Sequence, residues 1–171
     1  MKIELKNIKF SEWASEETNC FRADIFCDGK KIGYCVNDGH GGSTSTHFYD
    51  GCKDKFLAVE AYCNTLPPIV FDKGTENEWS LDMNLEHYVD NLFENWLYAK
   101  EDKKLIKNFD KGICYGSKLS YQIVSFKLGN KAATISEIVK HHKGKEFLKT
   151  AYDKLINEGK NVLNTNLSFL N

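Results

Sequence analysis

The sequence predicts an α+β protein folded as one domain over residues 1–171, and three patterns carry that prediction. Residues 20–36 alternate apolar and polar side chains on either side of Asp28-Gly29, as a β-hairpin does. Residues 81–107 place Leu81, Leu85, Tyr88, Val89, Leu92, Phe93 and Trp96 at helical spacing. A second, smaller hairpin, "GICYG" (112–116) with "YQIVSFKL" (121–128), runs into a closing helix. The expected architecture is an antiparallel N-terminal sheet with its hairpin, central amphipathic helices, the second small hairpin and a C-terminal helix.

Residues 1–10 read as a strand. Ile3 and Leu5 share one face and Ile8 and Phe10 the other, so a bulge or break is expected at Lys6-Asn7. In the hairpin, a type I′ turn at Asp28-Gly29 and a type II′ turn at Gly29-Lys30 both fit. Either one pairs Phe21, Ala23 and Ile25 on one face with Ile32, Tyr34 and Val36, and puts Cys27 and Cys35 on opposite faces. A short strand is expected around His47–Tyr49. A helix follows over 52–66, with Phe56, Val59, Tyr62 and Cys63 on one side, stopped by Pro67-Pro68. Residues 71–80 read as a polar loop. Ser80 or Asp82 can cap the long helix, and Trp96 falls on its apolar face. Thr134-Ile135-Ser136-Glu137 is a capping box. Ile135, Ile138, Val139 and His142 form the apolar side behind it, Gly144 is a possible break, and Gly159 is a good C-cap.

Composition narrows the function. The chain has 23 basic and 24 acidic residues, which argues against a general nucleic-acid binder and equally against an acidic DNA mimic. A local basic patch stands at Lys140, His141, His142, Lys143 and Lys145. No apolar run is long enough for a membrane span. The start, "MKIEL", alternates charge and apolar side chains and does not read as a signal peptide, so we expect the protein in the cytosol where it is made. Six cysteines lack any zinc-type or C-x-x-C spacing, and we expect them reduced and unpaired. No cofactor is expected.

The stretch "VNDGHGGSTSTHFYD" (36–50) is the candidate site. Gly39, Gly41 and Gly42 can adopt positive φ and turn N–H groups toward an anion. Ser43, Thr44, Ser45 and Thr46 add hydroxyls, while His40 and His47 could donate or shuttle protons. Asp38 lies beside them, and Asp38, His40, His47 and Asp50 are ligand types that suit a divalent ion, at a spacing that matches no metal motif. The Walker pattern and the dinucleotide fingerprint are both absent. The plain alternative is a surface loop. No residue is assigned a catalytic role. Trp13 in "SEWASEE" and Trp79 in "ENEWS" each stand among acids and are candidate protein-binding anchors, or else fold back over the core edge.

The segment "FRADIFCDGKKIGYCVNDGHGGSTSTHFY" (21–49) resembles small uncharacterised accessory proteins of bacteriophages and prophages. In these a "DGKKIG" hairpin runs into an "NDGxGG" loop. The end, "ISEIVKHHKGKEFLKTAYDKLINEGKNVLN" (135–164), is similar in layout to the end of the same group. The resemblance implies an accessory protein in a bacterial cytosol that counters host defence, by binding a defence protein such as a CRISPR nuclease or by sequestering a signalling nucleotide. Three readings follow. The first is a non-enzymatic inhibitor that binds a host defence protein. The second is a nucleotide-binding sponge using the glycine-rich loop. The third is a small phosphodiesterase or nuclease using His40 and His47.

Overall fold

β1 (Ile3–Ser11), β2 (Cys20–Cys27), β3 (Lys30–Asn37) and β4 (Ser45–Phe48) form an antiparallel sheet in that order in the computed structural model, which describes residues 1–170. Two bulges decide which side chains enter the core. In β1 the register slips between Lys6 and Lys9, where Asn7 takes a φ of 53°. Ile3 and Leu5 lie opposite Cys27 and Ile25, and beyond the slip Phe10 lies opposite Phe21. The extra residue thus returns Phe10 to the same face as Ile3 and Leu5, not to the opposite one.

The second bulge corrects the hairpin faces. Asp28 and Gly29 have φ values of 50° and 81°, the two positive angles of a type I′ turn. Next to it Phe26 lies opposite Lys31 but Ile25 lies opposite Gly33, so Ile32 is an extra residue. Phe21, Ala23 and Ile25 therefore share their face with Cys35 and Asn37, and Tyr34 and Val36 fall on the other side. Cys27 and Cys35 are both buried on the core face. They are not bonded, because Cys35 lies opposite Ala23, four residues or about 13 Å along the strand from Cys27. All six cysteines are free.

The chain gathers into two compact units, Met1–Asn95 and Trp96–Asn171. In the first, α1 (Lys53–Cys63) buries Phe56, Val59 and Cys63, and Phe56 meets the Phe48 ring of β4 at 5.8 Å. After Pro67-Pro68, β5 (Ile69–Phe71) and β6 (Trp79–Leu81) pair as a short antiparallel ribbon, where a polar loop is expected. Leu81 is drawn into that ribbon, so α2 (Leu85–Asn108) starts later than the apolar pattern suggests. Its cap is Asn84, whose Oδ1 accepts the His87 N–H at 2.8 Å, not Ser80 or Asp82. Phe93 of α2 is buried and stacks on Phe21 of the sheet at 3.9 Å.

The second unit holds β7 (Gly112–Gly116), β8 (Tyr121–Leu128) and β9 (Lys131–Ala133) as a meander, then α3 (Ile135–Val139) and α4 (Gly144–Asn157). Ile113, Phe126, Ile135, Ile138, Leu148 and Leu155 form its core. The capping box is present: the Thr134 N–H donates to Glu137 Oε2 and the Glu137 N–H to Thr134 Oγ1. The helix breaks at Lys143, whose φ is 62°, and His142 falls in that break, exposed instead of packed. Trp96 is half-buried, with the Lys100 ammonium 5.2 Å above its ring.

Charge is divided unequally between the units. The first carries nine basic and 17 acidic residues, formally −8, and the second 14 lysines against seven acids, formally +7. No helix among the described residues is long and apolar enough to cross a membrane.

Candidate functional site

The glycine-rich loop leaves β3 at Asn37 and enters β4 at Ser45. Asn37 organises it. Its Oδ1 accepts the Gly39 N–H at 2.9 Å and the Thr18 hydroxyl at 2.8 Å. Its amide nitrogen donates to the Gly42 carbonyl at 3.0 Å and to Thr44 Oγ1 at 3.1 Å. Thr44 then donates its own hydroxyl to Asp90 Oδ1 of α2 at 2.6 Å. Asn37 is 7% exposed and Thr44 2%, so the relay runs through the interior of the unit.

Gly39 joins this loop to a second one. Its carbonyl accepts the N–H groups of Glu16, Glu17 and Thr18 at 3.0–3.2 Å. Its φ is +90°, and a Cβ there would run into the Ala14 carbonyl oxygen and the Cys20 side chain. Only glycine meets both demands, an unusual φ and a backbone almost in contact. The chain at 11–20 is fastened again by the Ser15 hydroxyl, which donates to the Ser11 carbonyl at 2.8 Å and accepts the Cys20 N–H at 2.9 Å. On this fixed turn Trp13 stands 94% exposed. Glu12, Glu16 and Glu17 flank it, also exposed.

The loop's donors are largely in use. The Gly39 N–H goes to Asn37, the His40 N–H to Asp38 Oδ1 at 3.2 Å, and the Gly41 N–H to Thr18 Oγ1 at 3.3 Å. The His40 ring meets Glu16 Oε2 at 3.2 Å. His47 has a different setting: it sits opposite Tyr34 on β4 and stacks on that ring at 4.8 Å. Thr46 is half-buried, and Ser43 and Ser45 are exposed. Trp79 belongs to the β5–β6 ribbon, 52% exposed and stacked on Phe71 at 4.1 Å.

In comparisons with protein-family models, with curated proteins and with solved structures, no match to this chain is found.

A cleft of about 300 Å³ opens where the loop meets α2. Glu17, Thr18, Thr44, Asp90 and Glu94 line it, together with the edges of Phe21 and Phe93. Burial lifts the Asp90 carboxyl above its ordinary range, partly opposed by the Thr44 hydrogen bond, and the nearby Glu86 charge adds to the rise. The pattern EHxxD on α2 matches no metal motif by its spacing. It brings Glu86, His87 and Asp90 within 4.8 Å of one another. Glu86 stands in the first turn of the helix, where the dipole favours a carboxylate and opposes a cation, so the helix itself accounts for its charge. The residues the sequence left out, Thr18, Asn37 and Asp90, are separated by up to 72 positions and converge only in the fold. Chemically the site is a rigid, acid-flanked turn with an exposed indole, next to an acidic cleft.

Proposed function

We propose that this chain is a non-enzymatic binding protein that inhibits a second protein by inserting Trp13 into a pocket on a basic surface. The observation that carries this reading is the exposed Trp13 on a turn tied down by Gly39 and Ser15. An indole has only two side-chain torsions to fix, and the backbone that carries it is already tied down, so little conformational freedom is lost on binding, which is what an interface anchor requires. Glu12, Glu16 and Glu17 around it favour a positively charged partner and speed encounter with one. The likeness to phage accessory proteins supports a host defence protein as that partner, for example a CRISPR nuclease, whose nucleic-acid-handling surfaces are basic. A nucleotide cradle draws no support from a loop whose Gly39, His40 and Gly41 N–H groups already donate inside the protein. A two-histidine enzyme draws none from His40 and His47, which have separate partners.

The test is a comparison of wild type with Trp13→Ala in capture from a bacterial host lysate, followed by binding to the purified partner. Loss of an interface anchor costs about 2 kcal/mol or more, roughly thirtyfold in affinity. The variant should melt with wild type, since the side chain contacts almost nothing. Equal capture by both proteins, or a thermal shift of the wild type by nucleotides alone, contradicts the reading.

A further inference from the structure

We infer that the second unit binds single-stranded nucleic acid along one face of α2, between Trp96 and Lys107. This goes beyond the protein-binding reading, which concerns the first unit.

Three observations carry it. The unit as a whole is formally +7, although the chain is formally −1. Within it, Trp96, Lys100, Lys103, Lys104 and Lys107 line a single groove of about 420 Å³ along α2. At 100° per residue, Trp96, Lys100, Lys103 and Lys107 fall within about 60° of arc, and Lys104 lies at the border. Of the nearby acids, Glu101 is neutralised by Lys104 at 3.2 Å and Asp102 by Lys118 at 3.0 Å. Lys103 and Lys107 make no ion pair among the described residues and are exposed.

The spacing fits a phosphodiester strand. A rise of 1.5 Å per residue puts Lys100, Lys103 and Lys107 about 4.5 and 6 Å apart along the axis, so flexible ammonium groups can follow successive phosphates. At the end of the row the half-buried Trp96 offers an aromatic face on which an unpaired base can stack, after displacing the Lys100 ammonium above it. Inside a duplex both faces of each base are already stacked on its neighbours, which selects a single strand over a duplex. The face carries one aromatic and no apolar row, unlike a helix that inserts into a lipid surface.

The test uses the full chain and a fluorescent 15-nucleotide oligothymidylate followed by anisotropy. Three phosphate contacts predict a weakening of about twentyfold between 50 and 200 mM salt. The double variant Lys103→Glu/Lys107→Glu should bind more than tenfold more weakly, with a flatter salt dependence. The variant Lys149→Glu/Lys154→Glu changes the charge equally, on α4, and should bind within about twofold of wild type. Trp96→Phe should retain more affinity than Trp96→Leu. Far-UV circular dichroism checks that each variant is folded. The inference is overturned by no binding at 50 mM salt, by equal loss in the two double variants, or by a duplex or an anionic phospholipid vesicle binding as tightly as the single strand.

Discussion

Asn37 uses both positions on its oxygen and both hydrogens of its amide, and all four partners come from loops. Asn37→Ala leaves buried donors and acceptors unpaired and should cost about 1–3 kcal/mol in denaturant unfolding. Gly39→Ala and Gly42→Ala form a matched pair. The first meets backbone at a positive φ, whereas the second meets nothing within 4 Å. Gly39→Ala should cost about 1–3 kcal/mol and weaken partner capture, while Gly42→Ala should do neither. Asp90 supplies a pH test. Its carboxyl is raised by burial, so wild type is penalised for ionising it, and loses stability as pH climbs from the unfolded carboxyl range through the raised value. Asp90→Asn keeps an acceptor for Thr44 without the charge. It should melt higher than wild type at pH 7 and alike at pH 3. If the two melted alike at both, the penalty would not exist. The sequence marked this loop by its glycines but not their purpose, because the carbonyl at 39 and its three donors at 16–18 meet only after β2 and β3 have paired.

At the level of elements, the type I′ turn and the capping box were legible because each is written in consecutive residues, Asp28-Gly29 and Thr134 to Glu137. The bulge at Ile32 was not, since an extra residue leaves no compositional trace when Ile32, Tyr34 and Val36 alternate cleanly with glycine and cysteine. The outcome is measurable. Ile25 is fully buried, and Ile25→Ala should cost about 2–5 kcal/mol. Tyr34, half-buried on the far face under the Arg22 guanidinium, should cost clearly less when cut to Ala. Equal costs would place Tyr34 in the core and the bulge elsewhere. The β5–β6 ribbon leaves no mark in the sequence for another reason: three-residue strands are too short to show a period, and Trp79 sits among acids typical of a loop.

On the scale of the whole molecule, the α+β class and the unpaired cysteines follow from patterns spread over many residues, and the structure has both. Alkylation under denaturing conditions without reductant should modify all six cysteines. In the native protein Cys20 and Cys52 should react first. Cys27, Cys35, Cys63 and Cys114 are buried, and burial pushes the Cys35 thiol up to about 12 and the Cys63 thiol to about 11. Total charge was the misleading quantity, because nearly equal and opposite excesses cancel in the sum. A chain with a formal charge of −1 and evenly mixed surface charge would pass through ion-exchange columns of either sign near neutral pH. Here the acidic excess lies in the first unit and the basic excess in the second. At low ionic strength it should be retained on both anion and cation exchangers, and a single pI near 6.5 is a poor guide to its purification.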